Sequence, residues 1–127
     1  MEVPILGLGT GPAGMGLSDE AAGRLYHRAV DLGVCFIDTA PGYRRAHAQL
    51  APVLRERRGE VFLATKAPAA TRDALVASVA RSLGELGVER VDLLYIHSLG
   101  EHPAADLFSG EGALHGLAEV KRRGWAR

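Results

Sequence analysis

Nearly continuous apolar runs that recur at a regular interval constrain this sequence more than any other feature. They begin at positions 3, 34, 61 and 91, so successive runs start 27 to 31 residues apart. An uninterrupted apolar run rich in β-branched residues is typical of a parallel strand that is covered on both faces. The predicted strands are residues 3–8, 34–38, 61–65 and 91–97.

Amphipathic helical patterns separate these runs. The first predicted helix begins at Ser18, a favourable N-cap residue, and ends at Gly33. Further helices are predicted over residues 46–54, 71–86 and 112–123. Pro52 lies within the second of the four helices, which we therefore expect to be short or kinked. The sequence thus predicts an α/β protein with about four βα units in a single domain, residues 1–127.

Pattern alone leaves two α/β architectures open. Strands that alternate with helices build either an open doubly wound sheet or the eight-unit barrel. Residues 125–127 resemble the start of a fifth strand, which suggests a chain truncated after about the fourth unit.

Composition excludes several classes of partner. The formal net charge of the 127 residues is zero, and charged residues make up 24% of the chain, so nothing indicates a nucleic acid or an anionic membrane. We expect no signal peptide, because the first residues lack a basic region followed by an apolar stretch, and no apolar run approaches the roughly 18–20 residues of a membrane span. The one cysteine, Cys35, cannot form an internal disulfide, which favours a cytoplasmic protein.

Polar residues with complementary chemistry follow the predicted strands. Asp38 ends the second strand, Lys66 follows the third, His97 ends the fourth, and Tyr43 lies in the loop after Asp38. Taken alone, a strand-end aspartate is more often a helix cap, and a strand-end lysine is more often a solvated cation. A histidine that ends an apolar strand is often a core residue, and a tyrosine in a Pro-Gly loop is commonly a packing residue. Because the carboxyl ends of parallel strands meet at one edge of the sheet, we expect the four to cluster there.

This set of side chains suits the reduction of a carbonyl group. A phenol has a pKa near ~10 and is a poor proton donor at neutral pH, but a nearby ammonium lowers such a pKa. A carboxylate holds the ammonium in place, and an imidazole can orient a carbonyl oxygen. A hydride would have to come from a cofactor.

At these positions the sequence resembles the aldo-keto reductase family over nearly its whole length. The resemblance is carried by Gly7-Leu8-Gly9-Thr10, by residues 33–43 with their Asp-Thr-Ala-x-x-Tyr stretch, by residues 61–66, by Ser82-Leu83 and Leu86-Gly87, and by residues 91–97, which end in His97. The stretch around Tyr43 and the strand that ends in His are its more specific parts.

The resemblance implies a fold, a reaction and a cofactor. The fold would be a partial TIM (β/α)8 barrel, and the reaction an NADP-dependent reduction of an aldehyde, ketone or sugar carbonyl. Tyr43 would be the general acid, Lys66 would make it a better acid, Asp38 would pair with Lys66, and His97 would position the carbonyl. The chain would be inactive alone, because the later segments that bind most of NADP are missing.

The resemblance also implies that a few residues of this chain contact the cofactor. Gly9 and Thr10 match positions near the nicotinamide, and Asp38 is assigned to cofactor binding as well as to catalysis.

Two departures from the family's pattern follow Tyr43. The family usually has glycine next and glutamate three residues after the tyrosine, whereas this chain has Arg44, Arg45, Ala46 and His47. We expect His47 to lie on the surface, as we do the other histidines that follow no strand. The spacing of His27, His47, His102 and His115 relative to cysteine and carboxylate residues does not suggest a metal site, so no metal is predicted.

Two alternative functions remain open at this point. Gly9, Gly11 and Gly14 spell the G-x-G-x-x-G pattern of a Rossmann-type nucleotide-binding domain, but the predicted helix begins only at Ser18. A non-catalytic or remnant member of the reductase family is the second alternative. In that case the open edges of a half barrel could support self-association.

Overall fold

The four strands form one parallel sheet whose spatial order, β1-β2-β3-β4, follows the order of the chain. The computed structural model describes residues 3–127. The strands are β1 (Gly7–Gly9), β2 (Phe36–Asp38), β3 (Phe62–Ala67) and β4 (Leu93–Ile96). Sequential order is that of the (β/α)8 barrel, whereas a Rossmann sheet reverses direction after its first strands. The doubly wound alternative is therefore wrong, and the fold is a partial barrel.

Within residues 3–127, six helices pack against this sheet or connect its strands. They are α1 (Gly11–Gly16), α2 (Asp19–Asp31), α3 (Ala46–Arg57), α4 (Arg72–Leu86), α5 (Ala104–Phe108) and α6 (Ala113–Arg122), with short 3-10 turns at Arg58–Glu60 and Leu99–Glu101.

The predicted helix boundaries at Ser18 and at three glycines are confirmed. Ser18 caps α2 by accepting a hydrogen bond of 3.2 Å from the backbone N–H of Ala21. Gly33, Gly87 and Gly124 have φ angles of +81°, +67° and +74°, respectively. Only glycine adopts this left-handed conformation readily, which is why these positions end α2, α4 and α6.

The structure differs from the predictions around the first strand. Residues 3–6 are not part of a strand, and β1 is only three residues long. The glycine-rich segment that we predicted to be a loop forms α1 instead, with Pro12 in its first turn. Proline is favourable there because its fixed φ suits a helix start and its missing N–H would lack a partner anyway. The length of this segment therefore does not argue against a Rossmann-type domain; the strand order does.

The helix that contains Pro52 is longer than predicted. α3 continues through Pro52 for five further residues and ends at Arg57. Its buried positions, which include Leu50, Val53 and Leu54, lie on both sides of the proline. Packing of this face against the core offsets the hydrogen bond that proline cannot donate.

The two faces of the sheet differ in exposure. Ile37 and Leu63 point towards the helices and are completely buried. On the other face, the rings of Phe36 and Phe62 meet edge to face at 5.2 Å and are only half-buried, and Tyr95 is 42% exposed. In a closed barrel this second face is a packed interior. In this chain it is open.

The last residues of the chain pair with the outer edge of the sheet. Val91 and Ala126 form a parallel bridge, in which the N–H of Val91 donates to the carbonyl of Trp125 at 3.0 Å. The N–H of Arg127 donates to the carbonyl of Val91 at 3.3 Å. Residues 125–127 thus form one isolated bridge at this edge, and their being the start of a fifth strand stays a prediction.

A buried carboxylate ties three segments together at the amino ends of the strands. Asp92 is 7% exposed and accepts hydrogen bonds from the backbone of Leu63 at 2.9 Å, from Arg58 at 2.9 Å and from Arg127 at 3.1 Å. Burial alone would raise the pKa of Asp92, but these hydrogen bonds outweigh it and hold the pKa below its ordinary value.

We predict that Asp92→Asn lowers the free energy of unfolding by about 1–3 kcal/mol at pH 7, because charged hydrogen bonds are lost at a buried site. A carboxyl with a lowered pKa stabilises the fold above its unfolded pKa of ~3.9 and loses that effect as pH falls. The difference between wild type and variant in urea denaturation should therefore shrink in acid. Glu89→Gln, at an exposed carboxylate nearby, is the control and should change stability little. Equal losses in both variants would contradict this role.

Close packing at Gly14 joins α1 to the loop before α3. A Cβ added at Gly14 would lie 2.3 Å from the carbonyl oxygen of Tyr43 and 2.9 Å from the Cβ of Ala46. The nearest obstacle is backbone, so the loop itself would have to shift. Gly14 therefore sets how closely α1 and the loop that carries Tyr43 can approach.

We predict that Gly14→Ala displaces the Tyr43 loop and lowers the free energy of unfolding by about 1–3 kcal/mol, as overpacking typically does. Amide NMR shifts of Tyr43 and Ala46, together with urea denaturation, would measure both effects. Gly16→Ala is the matched control in the same helix, because a Cβ at Gly16 meets nothing within 4 Å. If the two variants behave alike, the close approach at Gly14 does not hold the loop.

Candidate active site

A lysine–aspartate ion pair lies at the carboxyl ends of β2 and β3. The Nζ of Lys66 donates hydrogen bonds to Oδ2 of Asp38 at 2.5 Å and to the carbonyl of Thr39 at 3.2 Å. Asp38 lies opposite Ala64 in the ladder, and Lys66 is two residues further along the same face of β3. The Lys66 side chain is 17% exposed and the Asp38 side chain is 33% exposed, so the ammonium is held in a partly desolvated position.

The aromatic rings of Tyr43 and His97 lie beside this ion pair. The Nζ of Lys66 is 5.0 Å from the centre of the Tyr43 ring. The Tyr43 and His97 rings are perpendicular, with their centres 5.8 Å apart. The four residues Asp38, Tyr43, Lys66 and His97 therefore lie together at one edge of the sheet, which is the placement that their strand-end positions predict. Their catalytic roles stay predictions.

The loop that carries Tyr43 is held by its own backbone. The N–H of Tyr43 donates to the carbonyl of Ala40 at 3.1 Å, and its carbonyl accepts from Ala46 at 3.0 Å. Arg44, which replaces the family's usual glycine, has a φ of +48°. A left-handed residue at this position explains why glycine suits the family, and arginine occupies the same conformation at some cost in backbone strain.

Gly9 and Thr10, the residues at the end of β1 that were predicted to contact the cofactor, lie in different surroundings. Gly9 is exposed and lies opposite Asp38, and a Cβ added at Gly9 would meet nothing within 4 Å. Thr10 is completely buried, and its hydroxyl donates to Oγ1 of Thr39 at 2.9 Å. Open space thus lies above Gly9, whereas the Thr10 side chain braces the loop after β2.

Three of the four residues, Asp38, Lys66 and His97, line an open groove of about 510 Å³ on the inner face of the sheet, and the Tyr43 ring lies beside Lys66 and His97. Its lining combines polar and apolar side chains: Phe36, Asp38, Lys66, Tyr95, Ile96, His97 and Ser98. A larger cavity of about 830 Å³ lies at the opposite, amino ends of the strands, around Asp92 and Arg58. Those two residues are engaged in the ion pairs described above, so the smaller groove is the better candidate for chemistry.

The prediction that His47 lies on the surface is wrong. Its side chain is 4% exposed, and its Nδ1 lies 2.7 Å from Oε2 of Glu85 on α4. Burial lowers the pKa of His47, against a smaller opposing effect of the Glu85 carboxylate. The signal for burial was present in the sequence, because His47 precedes Leu50 by three residues and Leu54 by seven, on the buried side of α3. His115 is exposed, as predicted, and the remaining two are half-buried.

Residues 3–127 contain neither a metal-binding cluster nor a membrane-spanning helix. No group of three His, Cys, Asp or Glu side chains in this range is arranged to hold a metal ion. None of the helices there is long and apolar enough to span a membrane.

Comparison with known proteins agrees with the geometry of this site. The sequence profile of the Aldo/keto reductase family matches residues 5–127. An aldo-keto reductase from Mycobacterium marinum is 32% identical over 129 residues, which cover 98% of this chain and 43% of the relative. A solved structure of a candidate aldo-keto reductase from Pseudomonas aeruginosa is 34% identical with a TM-score of 0.87, and covers 99% of this chain and 53% of its own.

A further solved structure shows a relative with its cofactor. The aldo-keto reductase from Klebsiella pneumoniae, crystallised in complex with NADPH, is 25% identical with a TM-score of 0.82 over 98% of this chain and 44% of its own. The chain therefore spans about half the length of the relatives that it matches. Profile, sequence and fold agree on one assignment: the chain belongs to the aldo/keto reductase family, whose members are oxidoreductases.

Proposed function

We propose that this chain supplies the proton-donating part of a reductase site for small aldehydes, ketones or sugar carbonyls. The observation that carries the proposal is the position of Lys66. Its ammonium contacts Asp38 on one side and faces the ring of Tyr43 on the other. A phenol next to a fixed cation is suited to give up a proton, because the cation stabilises the phenolate that remains.

In this proposal the carbonyl oxygen of the substrate lies between the Tyr43 hydroxyl and the His97 ring. The hydroxyl donates its proton to the oxygen as negative charge develops there, and the imidazole donates a hydrogen bond that orients the oxygen. Asp38 keeps the ammonium of Lys66 in place through the 2.5 Å contact. The apolar part of the groove, around Phe36 and Ile96, would hold the carbon skeleton of the substrate.

We propose NADP(H) as the cofactor, which supplies the hydride when it is bound. Support comes from the K. pneumoniae relative, which was crystallised with NADPH. The space above Gly9 is open and adjoins Asp38, so the backbone of Gly9 leaves room there for a flat ring to approach. For Thr10 we propose a bracing role through Thr39 in place of direct cofactor contact.

The partners and the location follow from composition and family. We propose a small-molecule substrate, no nucleic-acid or membrane partner and a cytoplasmic location, because the net charge is zero and the single cysteine needs no oxidising compartment. Self-association through open strand edges stays a prediction. The outer edge of β4 already pairs with Ala126 at its start, so we expect the edge of β1 to be the freer one.

We predict that Tyr43→Phe lowers turnover about 10²–10⁴-fold, the usual contribution of a general acid, while cofactor binding is retained. The test is a chimera in which the remainder of the M. marinum relative follows Arg127, assayed by NADPH oxidation with a small aldehyde. Tyr26→Phe is the matched control, because Tyr26 is completely buried and its hydroxyl has no hydrogen-bond partner in residues 3–127. Turnover of Tyr43→Phe within a few-fold of the control would mean that another group is the acid.

We predict that the 127-residue chain alone has no measurable turnover. It offers a proton donor, but the inner face of its sheet is open, and its matched region is only about half of each relative. Without a fixed hydride donor the proximity contribution of roughly 7–11 kcal/mol is lost. Cofactor oxidation, NADPH titration and light scattering on the same sample would test activity, binding and self-association. Turnover above that of Tyr43→Phe would contradict the prediction.

A further inference from the structure

The first turn of α3, which follows the Tyr43 loop, lacks the usual stabilisation of a helix start. Arg45 stands at the N-cap position and makes no capping hydrogen bond, and no acidic residue lies in the first turn. The N–H groups at a helix start lack partners within the helix, so a capping side chain normally accepts from them. Here tertiary contacts must hold the turn instead.

Three such contacts join this turn to three different helices. Ala46 is completely buried and packs on Gly14 of α1. Arg45 donates to the carboxylate of Asp19, at the start of α2, at 2.8 Å. His47 reaches Glu85 of α4 at 2.7 Å. Because the N–H of Ala46 also donates to the carbonyl of Tyr43, these contacts together fix the backbone of Tyr43.

We propose that His47 is a positioning residue: as a neutral imidazole it anchors the Tyr43 loop to α4, and its protonation releases the loop. The assignment of Tyr43 as proton donor rests on the function proposed above. The anchoring itself does not, since it concerns only contacts within the chain.

The position of His47 makes its protonation unfavourable for two structural reasons. A positive charge in the first turn of α3 opposes the helix dipole, whose positive end is there. Arg44 already places one cation beside that turn, whereas the charge of Arg45 is balanced by Asp19. Moreover, Nε2 of His47 is buried without a hydrogen-bond partner in residues 3–127. When Nδ1–H donates to Glu85, protonation adds a second N–H that nothing accepts, and a buried unpaired donor is destabilising.

The charged groups around His47 do not compensate for this effect. α1 contains no ionisable side chain. On α2, Asp19 and Asp31 are engaged with Arg45 and Arg57. On α4, Glu85 is the carboxylate that contacts the ring, and it is 45% exposed and therefore partly screened by water. The remaining ionisable residues of the helices that adjoin α3 are Glu20, Arg24, His27, Arg28, Arg72, Asp73 and Arg81.

The lowered pKa of His47 agrees with this geometry and fixes the direction of the effect. A histidine whose pKa is lowered by folding binds its proton more tightly in the unfolded or released state. The neutral state then stabilises the fold above pH ~6.5, and that stabilisation is lost as pH falls below it. We therefore expect the loop to be ordered near pH 7.5 and to open in mild acid.

The test is amide hydrogen exchange of the 127-residue chain by NMR between pH 7.5 and 5, with the ring titration of His47 followed in parallel. Protection factors at Tyr43 and Ala46 should fall on acidification, by up to tenfold for each unit that the pKa of His47 lies below ~6.5. Amides in the middle of α4 should keep their protection. No cofactor or substrate is present, so the result is independent of whether the chain reduces carbonyls.

Two variants and a control separate this role from general packing. His47→Gln should abolish the acid-dependent step, whereas Glu85→Gln, at an exposed position that should not impair folding, should move it to lower pH. His27→Gln is the matched control. The His27 ring also faces a glutamate, Glu56, at 3.7 Å, but His27 lies on α2, away from the Tyr43 loop. This variant should keep the acid-dependent loss of protection. The proposal would be overturned if protection at Tyr43 and Ala46 stayed constant in the wild type on acidification. It would also be overturned if α4 lost protection together with the loop, or if the acid-dependent loss persisted in His47→Gln.

Discussion

The position of the candidate site depends on a hydrogen-bond ladder that extends beyond the ends of the strands. The N–H of Thr10 donates to the carbonyl of Asp38 at 2.9 Å, that of Thr39 to Ala64 at 3.0 Å, and that of His97 to Ala67 at 3.0 Å. Each residue at the carboxyl edge is thus tied to the neighbouring strand. Because parallel strands all end at this edge, groups more than 50 residues apart in sequence are brought within reach of one small molecule.

The loop that carries Tyr43 is held by two backbone hydrogen bonds within the loop and by contacts to the helices around it. It contains a left-handed arginine and leads into a helix with no capping side chain. Its geometry therefore also depends on packing at Gly14 and on the contacts of Arg45 with Asp19 and of His47 with Glu85. This division places the Lys66–Asp38 pair on rigid strands and the tyrosine on a segment that is easier to displace. Segments of low local stability are the usual source of motion in a fold.

The sequence was most informative where local pattern and tertiary structure agree. The apolar runs that end at Asp38 and His97 predicted strands correctly, because burial on both faces determines them. The three glycines that end helices were predictable because only glycine readily adopts the positive φ needed there. The sequence was least informative where packing overrides propensity. α1, with three glycines and a proline among its six residues, has little intrinsic tendency to form a helix. The Asp92 cluster brings together residues from three distant segments, a combination that periodicity cannot reveal.

The sequential strand order has a consequence for how this chain is made. Every strand pairs with the strand before it, so each new unit adds to an edge that already exists. Paired positions are 26 to 29 residues apart in sequence, so each pairing closes a loop of only one βα unit. On the ribosome, β1 to β4 can therefore assemble stepwise from the N-terminus as they emerge, at about 5–20 residues per second. The pairing of Ala126 with Val91 then leaves a short stretch of strand edge from which a growing sheet can continue.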